Sequence, residues 1–242
     1  MKTKRPPASD AVRREWLRRV EAEYRSAAIT QHLGLWLIQI GASPDLVRRA
    51  MRIAADEIAH AEMSHRTYVA AGGRDLPAIV RESLALVRHE DDPLEHDVAR
   101  VAVEVFCLGE TVAVPLFKAL REGCTVPVAR RALDRVLRDE VRHRDFGWTL
   151  LAWLMEHPDA PAMRALIEAE LATWFARLSA SYAPEPKGER EPPVRDDDRA
   201  WGLMPLASYR AAVDKTFARD WEPRFAKLGF DAQKAWSRCT GA

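Results

Sequence analysis

The chain has 242 residues, 48% hydrophobic and 30% charged, with 37 basic against 36 acidic side chains and a formal net charge of +1. That is the composition of a globular protein able to bury a sizeable core, and its balanced charge favours neither nucleic acid nor an anionic membrane as partner. Cys107, Cys124 and Cys239 form no Cys-x-x-Cys pair, which speaks against a thiolate zinc site; the odd count, no signal peptide behind the basic start, and no run near the ~18 apolar residues of a membrane span lead to the expectation of a soluble, cytoplasmic protein.

Residues 1–8 read as a disordered basic tail. Ser9 or Asp10 can cap a helix that runs to about residue 40 and stops at Gly41. Ser43 and Pro44 start a second helix, which ends at Gly72 and Gly73. So short a connection between two long helices implies an antiparallel hairpin. From 74 to 93 the pattern weakens, with Pro77, an apolar piece over 79–87 and the charged run His89-Glu90-Asp91-Asp92, and reads as a long crossover. A third helix is expected over 94–121, bent at Pro115, and a fourth over 127–156, with Gly123 between them. Two hairpins joined by a crossover make an all-α four-helix bundle over residues 9–157. Residues 158–242 form a helical extension: a fifth helix over 160–182, a mobile Pro- and charge-rich loop over 183–199, and a final helix over 206–228 ending at Gly229. Trp201, Trp221, Phe225, Phe230 and Trp236 give this extension enough apolar area to dock on the bundle.

Two stretches in the second and fourth helices repeat a pattern: Asp56-Glu57-Ile58-Ala59-His60 and Asp139-Glu140-Val141-Arg142-His143. Residues three apart share a helix face, so each Glu-x-x-His presents a carboxylate and an imidazole in one direction, as a metal ion requires. Both pairs fall in otherwise apolar or small stripes, Leu46-Ala50-Ile53-Glu57-His60-Ser64-Thr67 and Ala129-Leu133-Val136-Glu140-His143-Gly147-Leu150-Leu154. The same register on the first helix selects Glu23, in Trp16-Val20-Glu23-Ala27-Thr30-Gly34-Leu37, over Glu15 and Glu21. On the third it selects Glu110, in Val103-Cys107-Glu110-Val114-Phe117, over Glu104, which shares a solvated stripe with Asp97 and Arg100.

These residues resemble the ligand set of the ferritin-like di-iron carboxylate superfamily, whose members include ferritins, rubrerythrins, ribonucleotide reductase small subunits and several oxygenases. The resemblance covers residues 10–157 and rests on Glu23, Glu57/His60, Glu110 and Glu140/His143 together. It implies a ferritin-like fold and six metal ligands. Four carboxylates balance two divalent ions, and mixed oxygen and imidazole donors suit iron, with manganese or a mixed pair as the alternative. The resemblance also implies that Asp56 and Asp139 each accept the N–H of the histidine on the opposite helix; otherwise both are exposed charges. The activity that the resemblance implies is oxidation with O2 or peroxide, with a small organic substrate and an electron-donating reductase as expected partners and a second copy of the chain as a candidate partner. A ferroxidase is the alternative, and a bundle keeping the site for structure alone the third class.

Departures narrow the choice. Cys107 stands where rubrerythrin-like peroxidases carry an additional carboxylate, their four-cysteine iron domain is absent, and Val136 stands where p-aminobenzoate N-oxygenases add a histidine. The extension beyond His157 exceeds what a ferritin cage subunit needs. Small residues on one side of the ligands, Ala27, Thr30, Ala50, Cys107 and Gly147, are expected to line the substrate pocket. Trp16, Phe117, Leu133, Ser64 and Thr67 fill the other side. His32, His65, His89, His96 and His157 lie off the stripes, Tyr24 and Tyr68 read as helix-surface residues, and Arg13, Arg14, Arg18 and Arg19 as a solvated basic face.

Overall fold

The computed structural model describes residues 8–182 and 193–240, so nearly all of the expected tail, and positions 183–192 of the expected mobile loop, lie outside the described residues. Every regular element among the described residues is helical.

The first hairpin is α1 (Asp10–Gln39) and α2 (Pro44–Ala70). Each starts where a serine hydroxyl satisfies an N–H with no partner inside the helix: Ser9 Oγ accepts from Val12 N at 3.2 Å, Ser43 Oγ from Leu46 N at 3.4 Å. Each stops at a glycine in the left-handed region, Gly41 at φ 71° and Gly72 at φ 89°. The crossover to the second hairpin holds a single 3-10 turn, Arg81–Leu84, and is tied to α1 by Glu21, which accepts from Ala78 N, and by His32, whose Nδ1 accepts from Leu86 N.

The third helix, α3, is continuous but changes pitch. Leu94–Val101 and Thr111–Gly123 are α-helical, whereas Ala102–Glu110 winds as wider π turns. Nothing in the apolar periodicity announced this, and it shifts the register beyond Glu110. Ala113, Leu116 and Leu120 are buried, whereas Val114 and Phe117, expected in the core stripe, are half-buried. Pro115 lies within the last piece without ending it. After Cys124 the chain turns into α4 (Pro127–Leu154), which completes the bundle.

The extension comprises α5 (Ala160–Tyr182), a short α6 (Asp196–Ala200), α7 and α8 (Ala232–Thr240). Like α3, α7 has a π segment, Phe217–Trp221, between Leu206–Thr216 and Glu222–Lys227. α6 falls almost wholly inside the stretch read as loop, and α8, which Asp231 caps by accepting from Lys234 N, was not expected. Trp221 and Phe225 are fully buried, each worth about 2 kcal/mol or more of apolar transfer. Polar contacts fix the extension at both ends of the bundle: the Trp221 indole donates to Cys107 O at 3.0 Å, and the Trp16 indole to Trp201 O at 3.0 Å.

Three residues read as solvated are buried because partners were supplied from distant sequence. Asp97 is held by Arg88, His89 and Arg100. Arg19 pairs with Glu15, donates to Gly202 O and lies over Trp16. The Tyr68 hydroxyl accepts from Arg74 N and Asp75 N at the end of the first hairpin.

Candidate metal centre

Glu23 lies on α1, Glu57 and His60 on α2, Glu110 at the end of the π segment of α3, and Glu140 and His143 on α4. The structure brings all six together in two overlapping groups, Glu23–Glu57–His60–Glu140 and Glu57–Glu110–Glu140–His143, each with donor atoms within 4.8 Å of one another. Glu57 and Glu140 belong to both. His60 Nδ1 is 3.5 Å from Glu57 Oε2 and 3.7 Å from Glu23 Oε2, while His143 Nδ1 is 3.1 Å from Glu57 Oε1 and 3.9 Å from both Glu110 and Glu140.

Whether these residues fit metal ions is decided by what their buried atoms lack. Glu57 Oε2, Glu140 Oε2, His60 Nδ1 and His143 Nδ1 are buried with no hydrogen-bond partner, and all four lie in the cluster. Buried polar atoms are nearly always paired, since an unpaired one costs about 1–3 kcal/mol. Four such atoms in a group of four carboxylates and two imidazoles fit two divalent ions, the first held by Glu23 and His60, the second by Glu110 and His143, with Glu57 and Glu140 shared.

Without metal, the cluster holds protons. Burial pushes Glu23 up to about 8 against the help of His60, and burial followed by the Glu110 carboxylate pushes Glu140 well up. Glu110 is raised by burial as well. Burial works against the charge of His60, yet Glu23 and Glu57 outweigh it and lift the imidazole to about 11; His143 moves in the same direction, with Glu57 and Glu110 overcoming burial. Glu57 is held below its ordinary range, burial notwithstanding, by His143 and His60. Metal ligation needs carboxylates and neutral imidazoles, so loading at pH 7 is expected to release protons, those of Glu23 and His60 among them, and to strengthen as pH rises from 6 to 8. The raised Glu23 also sets a stability window. Its neutral form supports the metal-free chain fully below the ordinary 4.5, and this support is lost as pH rises through about 8. The gain in melting temperature on metal binding should therefore be larger at pH 8 than at pH 5, and a pH-indicator titration should register the protons. No proton release, or a larger gain at pH 5, would contradict this arrangement.

Behind the imidazoles, His60 Nε2 meets Asp139 Oδ2 at 3.1 Å, whereas His143 Nε2 lies 3.5 Å from Asp56 Oδ2 with no hydrogen bond, so each histidine faces the aspartate of the opposite motif but only His60 is bonded to it. Asp139 accepting from Nε2 leaves Nδ1 as the lone-pair atom turned inward. Both aspartates are buried, and two arginines offset the cost. Arg135 and Arg142 each bond to both Asp56 and Asp139, and Asp139 is kept below its usual range by Arg135, His60 and Arg142 despite burial. These arginines escaped the sequence reading, although their spacing from Asp139, four before and three after, was a usable signal. Asp139→Asn is expected to weaken metal binding by about 10–100-fold. Asp56→Asn, whose aspartate makes the longer contact, should do less; equal effects in a metal-binding titration would count against the pairing described.

Of the residues expected to line a pocket, Ala27, Thr30, Ala50 and Cys107 are buried. The space expected beside Gly147 is taken by α3: a Cβ there would lie 2.5 Å from Phe106 Cβ. Trp16, Leu133, Ser64 and Thr67 on the other side are buried. Of the histidines set aside, His89 and His96 bond to Asp97 and Asp159, and none of the five joins the cluster. Tyr24 is exposed. Tyr182, not considered from sequence, feels the cluster from the end of α5: burial, then the charges of Glu110, Glu140 and Glu23, push its phenol up.

No protein-family model matches the chain, and no curated protein is similar to it in sequence. Among solved structures, a Synechococcus protein described as protein 19 with aldehyde deformylating oxidase activity superposes with a TM-score of 0.57 at 20% identity, over 97% of this chain and 98% of that one. The two share their fold. No helix among the described residues is long and apolar enough to cross a membrane.

Proposed function

We propose that the chain is a di-metal oxidoreductase of the oxygenase or oxidase kind, which binds two iron ions and uses O2 or peroxide to oxidise a small organic molecule. The supporting observation is the set of four unpaired donor atoms among four carboxylates and two imidazoles. Bound iron would supply the redox chemistry with O2. The chain's own residues do the rest. Glu57 and Glu140 would hold both ions, Asp139 orients His60, and Arg135 and Arg142 bond to both aspartates and keep Asp139 ionised. The buried layer around Ala27, Ala50 and Cys107 keeps water from the reacting atoms. Aliphatic aldehydes are the first substrates to try, since the structural neighbour carries that activity.

The test is O2 uptake by iron(II)-loaded protein with a chemical reductant and a series of aliphatic aldehydes and alcohols. Uptake accelerated by one class of compound, with product formed in proportion, is the expected result. Uptake of many irons per chain with no organic product would replace this reading by an iron-oxidising one.

A further inference from the structure

Thr30 is completely buried, and its hydroxyl has no hydrogen-bond partner. A helical threonine has a partner within reach, the carbonyl four residues back, and three others in this molecule use it: Thr67 to Met63 O at 2.9 Å, Thr149 to Asp145 O at 2.7 Å, and Thr216 to Ala212 O at 2.6 Å. Thr30 does not turn its hydroxyl onto Ser26 O. The group is thus desolvated with nothing in return inside the chain.

Its direction follows from register. Thr30 is seven residues beyond Glu23 on the same face of α1, which places it about 10 Å along the axis from that ligand. The layer between is apolar and partly small, with Ala27, Ala50, Ile53, Val103 and Cys107 all buried. One orphan hydroxyl above an apolar layer that leads to the metal ligands matches a molecule with an apolar body and one oxygen function.

We infer that the Thr30 hydroxyl is the polar contact for the substrate, hydrogen-bonding a hydroxyl or carbonyl oxygen that lies about 10 Å from the carbon presented to the metals. The substrate class is then an aliphatic chain whose oxygen function is remote from the position oxidised; an aldehyde reacting at its carbonyl would carry a second oxygen further along. This assignment rests on the proposed function and deepens it.

The experiment is calorimetric binding under argon to iron(II)-loaded protein, with 1-octanol and 1-chlorooctane as probes matched in length and differing in hydrogen bonding. Wild-type protein and Thr30→Ser should prefer the alcohol by roughly three- to tenfold, and Thr30→Val should lose the preference. Without probe, Thr30→Val should melt at the same temperature or higher, because it removes an unpaired hydroxyl at constant shape. A wild-type protein with no preference, a preference that survives in Thr30→Val, or a lower melting temperature for Thr30→Val would each overturn the assignment. Iron content is measured alongside: two ions with an unchanged preference refute Thr30 alone, whereas a wild-type chain that binds no iron refutes the proposed function.

Discussion

Glu57→Ala is expected to lower the affinity for both metal ions together by at least about 100-fold, so that iron content after desalting falls from two per chain toward zero. The reason is geometric. Glu57 belongs to both donor groups, placing one oxygen 3.5 Å from His60 Nδ1 and the other 3.1 Å from His143 Nδ1. Glu23 and Glu110 each belong to one group, so Glu23→Ala and Glu110→Ala should each lose one ion and retain the other. Because the substitution also takes a carboxylate partner from the buried imidazoles of His60 and His143, the melting temperature of the metal-free variant is measured beside its iron content. The stabilisation linked to metal disappears with it, about 4 kcal/mol for free metal at a thousand times its dissociation constant. Equal iron contents for Glu57→Ala and Glu23→Ala would contradict the shared role.

Gly147→Ala should destabilise the bundle by about 3 kcal/mol and lower its melting temperature by roughly 6–12 °C. The new Cβ would sit 2.5 Å from Phe106 Cβ, 2.8 Å from the Phe106 carbonyl carbon and 3.0 Å from Cys107 N. Two of these are backbone atoms, which cannot rotate away. Nor can α3 withdraw freely, since Cys107 O is tied from the other side by the Trp221 indole. Iron retention should fall too, as Glu110 closes the same π segment. An unchanged melting temperature would mean that α3 and α4 are further apart than described.

The six clustered residues were legible in the sequence because apolar periodicity on a helix is local, and an ionisable residue in a clean stripe stands out. Glu23 and Glu110 were chosen over Glu15, Glu21 and Glu104 by that argument alone, and the structure places both in the cluster. What escaped was set by contacts between distant segments. Cys107 O in the π segment of α3 accepts from Trp221, more than a hundred residues away in the extension. Gly147 in a stripe reads equally well as a space or as a point of contact, and only the path of α3 decides between them. Asp97 and Arg19 looked solvated because their partners, Arg88 and His89 for one and Gly202 for the other, are not on their own helix face.

The central claim, two metal ions held jointly by four helices, is tested most directly by diffraction from crystals loaded with iron(II), using anomalous differences at the iron edge. The account predicts two peaks about 3.5–4 Å apart, both between Glu57 and Glu140, with Glu23 and His60 at one and Glu110 and His143 at the other. A single peak, or iron bound only outside this cluster, would contradict it.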